Sequence, residues 1–194
     1  MDVIKDYEAK RVRVFHEGEL LRDYARAFLG RTKITSETPE EFQNEERKLA
    51  RLYAFRLLAK RAYLKRALLE KLTGVGVEEG CAERVVLALD EEGYLSDKEL
   101  IHSWVRLWTA RGYSKQKITQ KLREKRIPPT EIQSAVAEID EEAELEQLRN
   151  LLEKKYGSFD LEDPAEREKV VSRLFRRGFP LHLIFRALAV FTNT

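Results

Sequence analysis

The sequence predicts an all-α protein of three tandem three-helix repeats in an elongated, curved array, after a short N-terminal segment that is a candidate for a β-hairpin. Three observations lead there. Apolar residues recur at helical spacing, with charged residues between them, from about residue 38 to the end. Nine glycines and five prolines leave long stretches unbroken. The chain also matches itself when displaced by 50 residues, so that Leu57 falls on Leu107 and Asp90 on Asp140.

The elements follow in order. Arg11-Val12-Arg13-Val14-Phe15 nears period-2 alternation, and His16-Glu17-Gly18-Glu19 offers a glycine for a tight turn. Asp23 to Phe28 is expected as a short helix, and Thr32 to Glu37 as a polar connection. Thr38-Pro39-Glu40-Glu41 is a helix start: Thr38 can accept from a free backbone N–H, Pro39 has none to waste, and Glu41 can bond back. Ser96-Asp97-Lys98-Glu99 and Asp163-Pro164-Ala165-Glu166 repeat the signal, and Gly74, Gly76, Gly93, Gly112 and Gly178 punctuate the segments. The expected division is a variable segment over 1–44 and helical repeats over 45–95, 96–142 and 143–194.

In the 50-residue register Arg61 meets Arg111, Tyr63 meets Tyr113, Lys65 meets Lys115, Lys71 meets Lys121, Leu72 meets Leu122 and Val86 meets Val136. A third copy aligns Leu174 with Leu122, Phe179 with Ile127, Ile184 with Ile132 and Leu188 with Val136, with extra residues around 157–163. Such units bury their apolar faces against neighbours.

Charge follows the repeat. Residues 47–72 carry nine Lys and Arg against one acid, 73–99 two against eight, 100–127 eight against one, 128–153 one against eight, and 164–194 six against two. The overall charge of +2 therefore hides alternating blocks and rules out a uniformly basic coat. Stacked repeats would set a basic stripe opposite an acidic one, and a basic stripe attracts phosphate backbones or acidic protein faces in a salt-sensitive way. The plainer reading is that the blocks neutralise one another between neighbouring helices.

Little in the sequence supports catalysis. His16, His102 and His182 are isolated, and Cys81 reads as a small apolar filler with no base motif beside it. A single cysteine excludes an internal disulfide framework or a multi-cysteine zinc site. Gly74-Val75-Gly76-Val77 lacks the Lys-Ser/Thr of a phosphate-cradling loop, and Asp140-Glu141-Glu142 lacks the alternation of a calcium loop. No catalytic residue, cofactor or metal is expected. The N-terminus has no apolar core of signal length, and Ala187 to Phe191 is too short to span a bilayer, so a cytoplasmic protein without membrane contact is expected; separately, the chain is expected to be a monomer. Trp104 and Trp108, four apart, share a helix face and read as repeat-packing core, with base stacking the sharper alternative. Tyr63 and Tyr113 read as half-buried rings at a helix–helix turn.

Leu57-Leu58-Ala59-Lys60-Arg61 with Leu68 to Leu72, then Leu89-Asp90-Glu91-Glu92-Gly93-Tyr94-Leu95-Ser96-Asp97, Arg111-Gly112-Tyr113 with Ile118 and Leu122, and Leu174 to Phe179 with Ile184 and Leu188, together resemble the RecX regulatory proteins. The likeness spans about residues 47–190, and its order and threefold recurrence make it specific. Three departures stand out. Ser96 replaces an aspartate, Gly74-Val75-Gly76 replaces a more basic turn, and Arg126 replaces the turn glycine of repeat two, a position that asks for glycine if its φ is positive.

The resemblance implies a non-enzymatic modulator of the RecA recombinase. Such a protein lodges in the groove of the RecA–single-stranded-DNA filament and restrains its assembly and activity in recombination and DNA repair. Single-stranded DNA is a candidate partner of the basic helices. On charge and repeat position the candidate RecA or DNA interface is Arg61, Lys65, Lys71, Arg111, Lys115, Lys117, Lys121, Arg123, Lys125, Arg126, Arg173, Arg176 and Arg177. Two other readings compete: a direct DNA-binding helical protein using the second and third helices of a repeat like a helix-turn-helix, and a helical scaffold for another protein partner.

Overall fold

A computed structural model describes residues 2–6, 10–30 and 32–191. The chain divides into two compact units, Met1–Leu100 and Ile101–Thr194.

The first unit opens with strands β1 (Asp2–Asp6), β2 (Arg11–His16) and β3 (Glu19–Ala25), paired antiparallel in the order β1-β2-β3. Glu17 and Gly18 both take positive φ, 51° and 84°. That is the primed two-residue turn whose twist matches a hairpin. The expected hairpin is therefore present, but two expectations need correction. A third strand, β1, joins the hairpin; its five residues are too short a run to declare a strand by pattern. Asp23 to Phe28 is not one helix, because Asp23–Ala25 complete β3 and only Arg26–Leu29 form helix α1. Strand pairing wins there because Asp23 accepts from Arg11 Nε at 2.9 Å along the ladder while the next side chain, Tyr24, turns inward and is fully buried.

Helices α2 (Pro39–Leu58), α3 (Lys65–Gly74) and α4 (Glu79–Glu91) complete the first unit. Their core takes in Val12, Val14 and Tyr24 of the sheet and Phe28 of α1, together with Phe42, Ala50, Leu68 and Leu72. The start at Thr38 forms the capping box that its sequence announces, with Pro39 in the first turn.

The second unit holds most of α5 (Asp97–Ala110), then α6 (Lys115–Glu124), α7 (Pro129–Ala135), α8 (Glu141–Tyr156), α9 (Pro164–Arg176) and α10 (Leu181–Phe191). Ser96 Oγ accepts from the Glu99 N–H at 3.3 Å, and Asp163 caps α9 ahead of Pro164.

The fold is thus three successive three-helix groups after a small sheet, and the recurrence is recorded in burial. Leu68, Ile118 and Val170 are each fully buried, as are Leu72, Leu122 and Leu174. Val77, Ile127 and Phe179 close the same corner, and Val86, Val136 and Leu188 line the third helix or its end.

The second and third helices of each group meet at one kind of corner. Val77, Ile127 and Phe179 donate back to Leu72, Leu122 and Leu174, while Gly76, Arg126 and Gly178 donate to Thr73, Arg123 and Phe175. This is a Schellman motif, whose penultimate residue is left-handed. The three φ values are 100°, 59° and 92°. Two of these corners are docked tightly. A Cβ on Gly76 would overlap the Asp23 carbonyl of β3, and one on Gly178 would lie 2.5 Å from Ser114 Oγ.

Candidate nucleic-acid and protein interface

The basic block of the second group sits on an aromatic platform. Trp104 and Trp108 of α5 stack, with ring centroids 6.1 Å apart and planes at 20°. On neighbouring α6, Lys121 and the C-cap residue Lys125 are also four apart, so both sets share a face. Lys125 Nζ lies 4.4 Å from the Trp104 ring, and Lys121 Nζ lies 5.4 Å from Trp108 and 5.0 Å from Tyr113. The Arg177 guanidinium reaches Tyr113 at 5.9 Å. Trp108 is 7% exposed, whereas Trp104 and Tyr113 are half-buried. The packing role therefore holds for Trp108, and Trp104 keeps part of its ring at the surface. A cation over a ring gains about 0.5–1 kcal/mol at an exposed site and keeps its charge.

The start of α6 is fixed by its neighbours. Ser114, fully buried, accepts from the Lys117 N–H at 3.1 Å and donates its own N–H to the Arg177 carbonyl at 3.1 Å. Glu144 of α8 accepts the Lys115 N–H at 2.7 Å, and burial pushes its carboxyl above the ordinary range. Lys115 Nζ donates to the Ile139 carbonyl at 2.6 Å, and Arg177 donates to the Arg111 carbonyl at 2.5 Å. Lys115 and Arg177 thus hold helix ends together, and Lys117 donates to Gln120 at 2.9 Å. Arg123 and Arg126 are exposed. Among the described residues, no base of 100–127 has a carboxylate within ion-pair distance.

The first group uses its bases differently. Lys65 Nζ pairs with Asp90 at 2.9 Å, Arg51 with Glu92, and Arg66 with Glu70. Arg61 covers Tyr63 at 4.6 Å, and Lys71 is exposed. Tyr63 is half-buried, as its position predicts. In the third group Arg173 covers Phe159 at 5.3 Å, while Arg176 is exposed beside Phe175, itself 59% exposed. Arg186 pairs with Glu141 and Glu142.

Sequence reasoning missed one buried cluster. Glu46, 1% exposed, accepts from Arg22 Nε at 3.0 Å, the Tyr24 hydroxyl at 2.6 Å and the Glu78 N–H at 3.2 Å. Burial and the Glu46 charge both push the Tyr24 hydroxyl upward, so it remains a donor. The Arg22 side of this network would be visible only as an inward-facing charge on a strand. The Trp–Lys platform was missed as a unit, although its signal is two i,i+4 pairs on adjacent helices. Cys81 is 2% exposed and its thiol is pushed up to about 11, first by burial, in keeping with a packing role.

Among the described residues no group of three or more His, Cys, Asp or Glu could hold a metal ion, and no helix is long and apolar enough to cross a membrane. A small sheet is thus followed along the chain by three-helix groups, in the second of which basic side chains rest on aromatic rings. Family models agree with the groups: residues 96–136 match "RecX, second three-helix domain", and 141–188 match "RecX, third three-helix domain". A regulatory protein RecX of Amycolatopsis mediterranei is 30% identical over 153 residues, covering 77% of this chain and 87% of that protein. Another, of Trichlorobacter lovleyi, is 34% identical over 137 residues, covering 69% and 89%. The crystal structure of RecX from Lactobacillus salivarius superposes with a TM-score of 0.64 at 17% identity, over 78% of this chain and 99% of that one. The chain belongs to the RecX family of regulatory proteins.

Proposed function

We propose that this protein is a non-enzymatic regulator of the RecA recombinase, which binds the RecA filament on single-stranded DNA and restrains its assembly and activity. The observation that carries the reading is the α5–α6 face. In a RecX-family chain, it presents Lys121 and Lys125 on aromatic rings, with no carboxylate within ion-pair distance of either among the described residues. Such a face is drawn to polyanionic filaments, and its binding weakens as salt rises. The repeats assigned to 45–95, 96–142 and 143–194 act together in this reading, with the second as the main contact, and the protein acts as a monomer.

The helix-turn-helix alternative needs a basic recognition helix. Instead, α7 carries Glu131 and no base, α4 carries Arg84 against Glu79, Glu83, Asp90 and Glu91, and the single arginine of α10, Arg186, is paired with Glu141 and Glu142. A major-groove role is disfavoured on those charges. The test is RecA's DNA-dependent ATP hydrolysis, with this protein titrated at substoichiometric amounts. Suppression during filament assembly, with no hydrolysis by the protein alone, is expected. Unchanged hydrolysis and filament length would refute the proposal.

A further inference from the structure

The three Schellman corners invite a direct comparison. At Gly76 and Gly178 glycine is required twice over, by positive φ and by close packing against β3 or Ser114 and Lys117. At the α6–α7 corner the left-handed position is filled by Arg126, exposed, with φ 59°. A long β-carbon-bearing residue is disfavoured there, since the left-handed region crowds Cβ against the backbone. Strain of this kind is usually kept at functional positions. Adjacent Lys125 lies over Trp104, whose ring is stacked on Trp108.

We propose that the α6–α7 corner is a site for single-stranded DNA, in which Arg126 and Lys125 take the phosphodiester backbone and Trp104 offers its face to a base. The inference rests on the filament reading above and deepens it, by assigning the DNA contact to one corner and the backbone strain to Arg126. Cations beside an aromatic face are the combination that single strands need, charge for the backbone and a π-surface for an unstacked base. An acidic protein face would call on the cations alone. When Lys125 turns to a phosphate it uncovers Trp104, so binding and ring exposure are linked.

The chain has two tryptophans, and both lie in this platform, so selectively excited tryptophan fluorescence reports on it. Titration with an oligothymidylate, without RecA, is expected to quench the emission saturably. Arg126→Gly is expected to bind about threefold more weakly, with the slope of log affinity against log salt shallower by about one. The same variant should melt about 2 °C higher, because glycine relieves the left-handed strain. Arg126→Lys should keep most of the affinity without that gain.

A higher melting temperature with unchanged oligonucleotide affinity would overturn the proposal, as would absence of quenching in the unaltered protein. If Arg126→Gly weakens only the suppression of RecA hydrolysis and leaves oligonucleotide binding intact, the corner meets protein and the strand assignment fails. If oligonucleotide binding responds as expected while RecA hydrolysis is untouched by the unaltered protein, the corner stands and the filament reading fails.

Discussion

Residues 47–72 and 100–127 carry nearly the same excess of Lys and Arg. Both blocks rest cations on rings, Arg51, Arg56 and Arg61 in the first and Lys121 and Lys125 in the second, but the first also places Arg51, Lys65 and Arg66 against carboxylates, whereas among the described residues no base of the second has a carboxylate within ion-pair distance. The contrast follows from a few substitutions within the repeat. Ala54, Leu58 and Val75 occupy the positions of Trp104, Trp108 and Lys125. Pairing a base with a carboxylate cancels its field beyond a short distance. Resting it on a ring orients it and leaves its field outward. Similar charge arithmetic thus yields one face that helps hold a fold together and one that remains available to a partner.

The comparison can be broken most forcefully in the first unit. Glu46→Ala would leave Arg22 and the Tyr24 hydroxyl without their shared acceptor, a loss expected to cost about 3 kcal/mol. Urea unfolding measures it, and hydrogen exchange should place the loss in β2, β3 and α2. A loss below about 1 kcal/mol would mean that this network does not hold the sheet to the helices.

The corners sharpen the comparison next. Gly178→Ala forces a Cβ to 2.5 Å from Ser114 Oγ and 2.8 Å from Lys117 Cβ at φ 92°, and should destabilise the second unit by about 2 kcal/mol. Arg126→Gly, at the matching position, should instead stabilise by about 0.5–1 kcal/mol. Thermal unfolding of the two variants checks the opposite signs, and a destabilised Arg126→Gly would show that the corner does not store strain.

Acid provides the smallest effect. Backbone N–H bonds from Gly80 and Cys81 hold Glu78 below the usual carboxylate range, and the Arg51 hydrogen bond does the same for Glu92. These folded-state values are depressed. Their stabilisation is present above the ordinary carboxylate value, about pH 4.3, and is lost as pH falls through the folded values. Glu144 in the second unit runs the other way, its value raised by burial. Its contribution is fully present below the ordinary value and is lost as pH rises through the raised one. Acidification should therefore weaken the first unit before the second. Hydrogen exchange along the chain follows this, and tryptophan emission, confined to α5, should change last.

Much of this molecule is legible in its sequence. Thr38, Ser96 and Asp163 cap helices because their side-chain oxygens sit where free N–H groups need acceptors. The 50-residue recurrence of apolar residues reappears as buried positions, since each group solves the same packing problem. Other features depend on partners distant in sequence. Glu46 reads as one more charge on a helix until Arg22 and Tyr24 arrive from the sheet. Among the basic residues, sequence could not separate Lys65 and Lys115, drawn into bonds with Asp90 and the Ile139 carbonyl, from Lys121 and Lys125. That distinction arises where neighbouring helices meet. Arg126 was the exception: its departure from glycine was visible in sequence, and φ 59° gives it meaning.

The central claim is that the second group's cation-on-ring face is the contact through which the protein restrains RecA. It is tested most directly by RecA's DNA-dependent ATP hydrolysis in the presence of two charge-reversed variants, Lys121→Glu/Lys125→Glu and the first-group pair Arg61→Glu/Lys71→Glu, in which Lys71 is the repeat equivalent of Lys121, each first checked for native helicity. The account predicts that the α6 variant needs at least about tenfold more protein for the same suppression, in line with loss of two phosphate-directed charges, and that the first-group variant stays within about threefold of the unaltered protein. Equal losses in the two variants, or full suppression by the α6 variant, would contradict it.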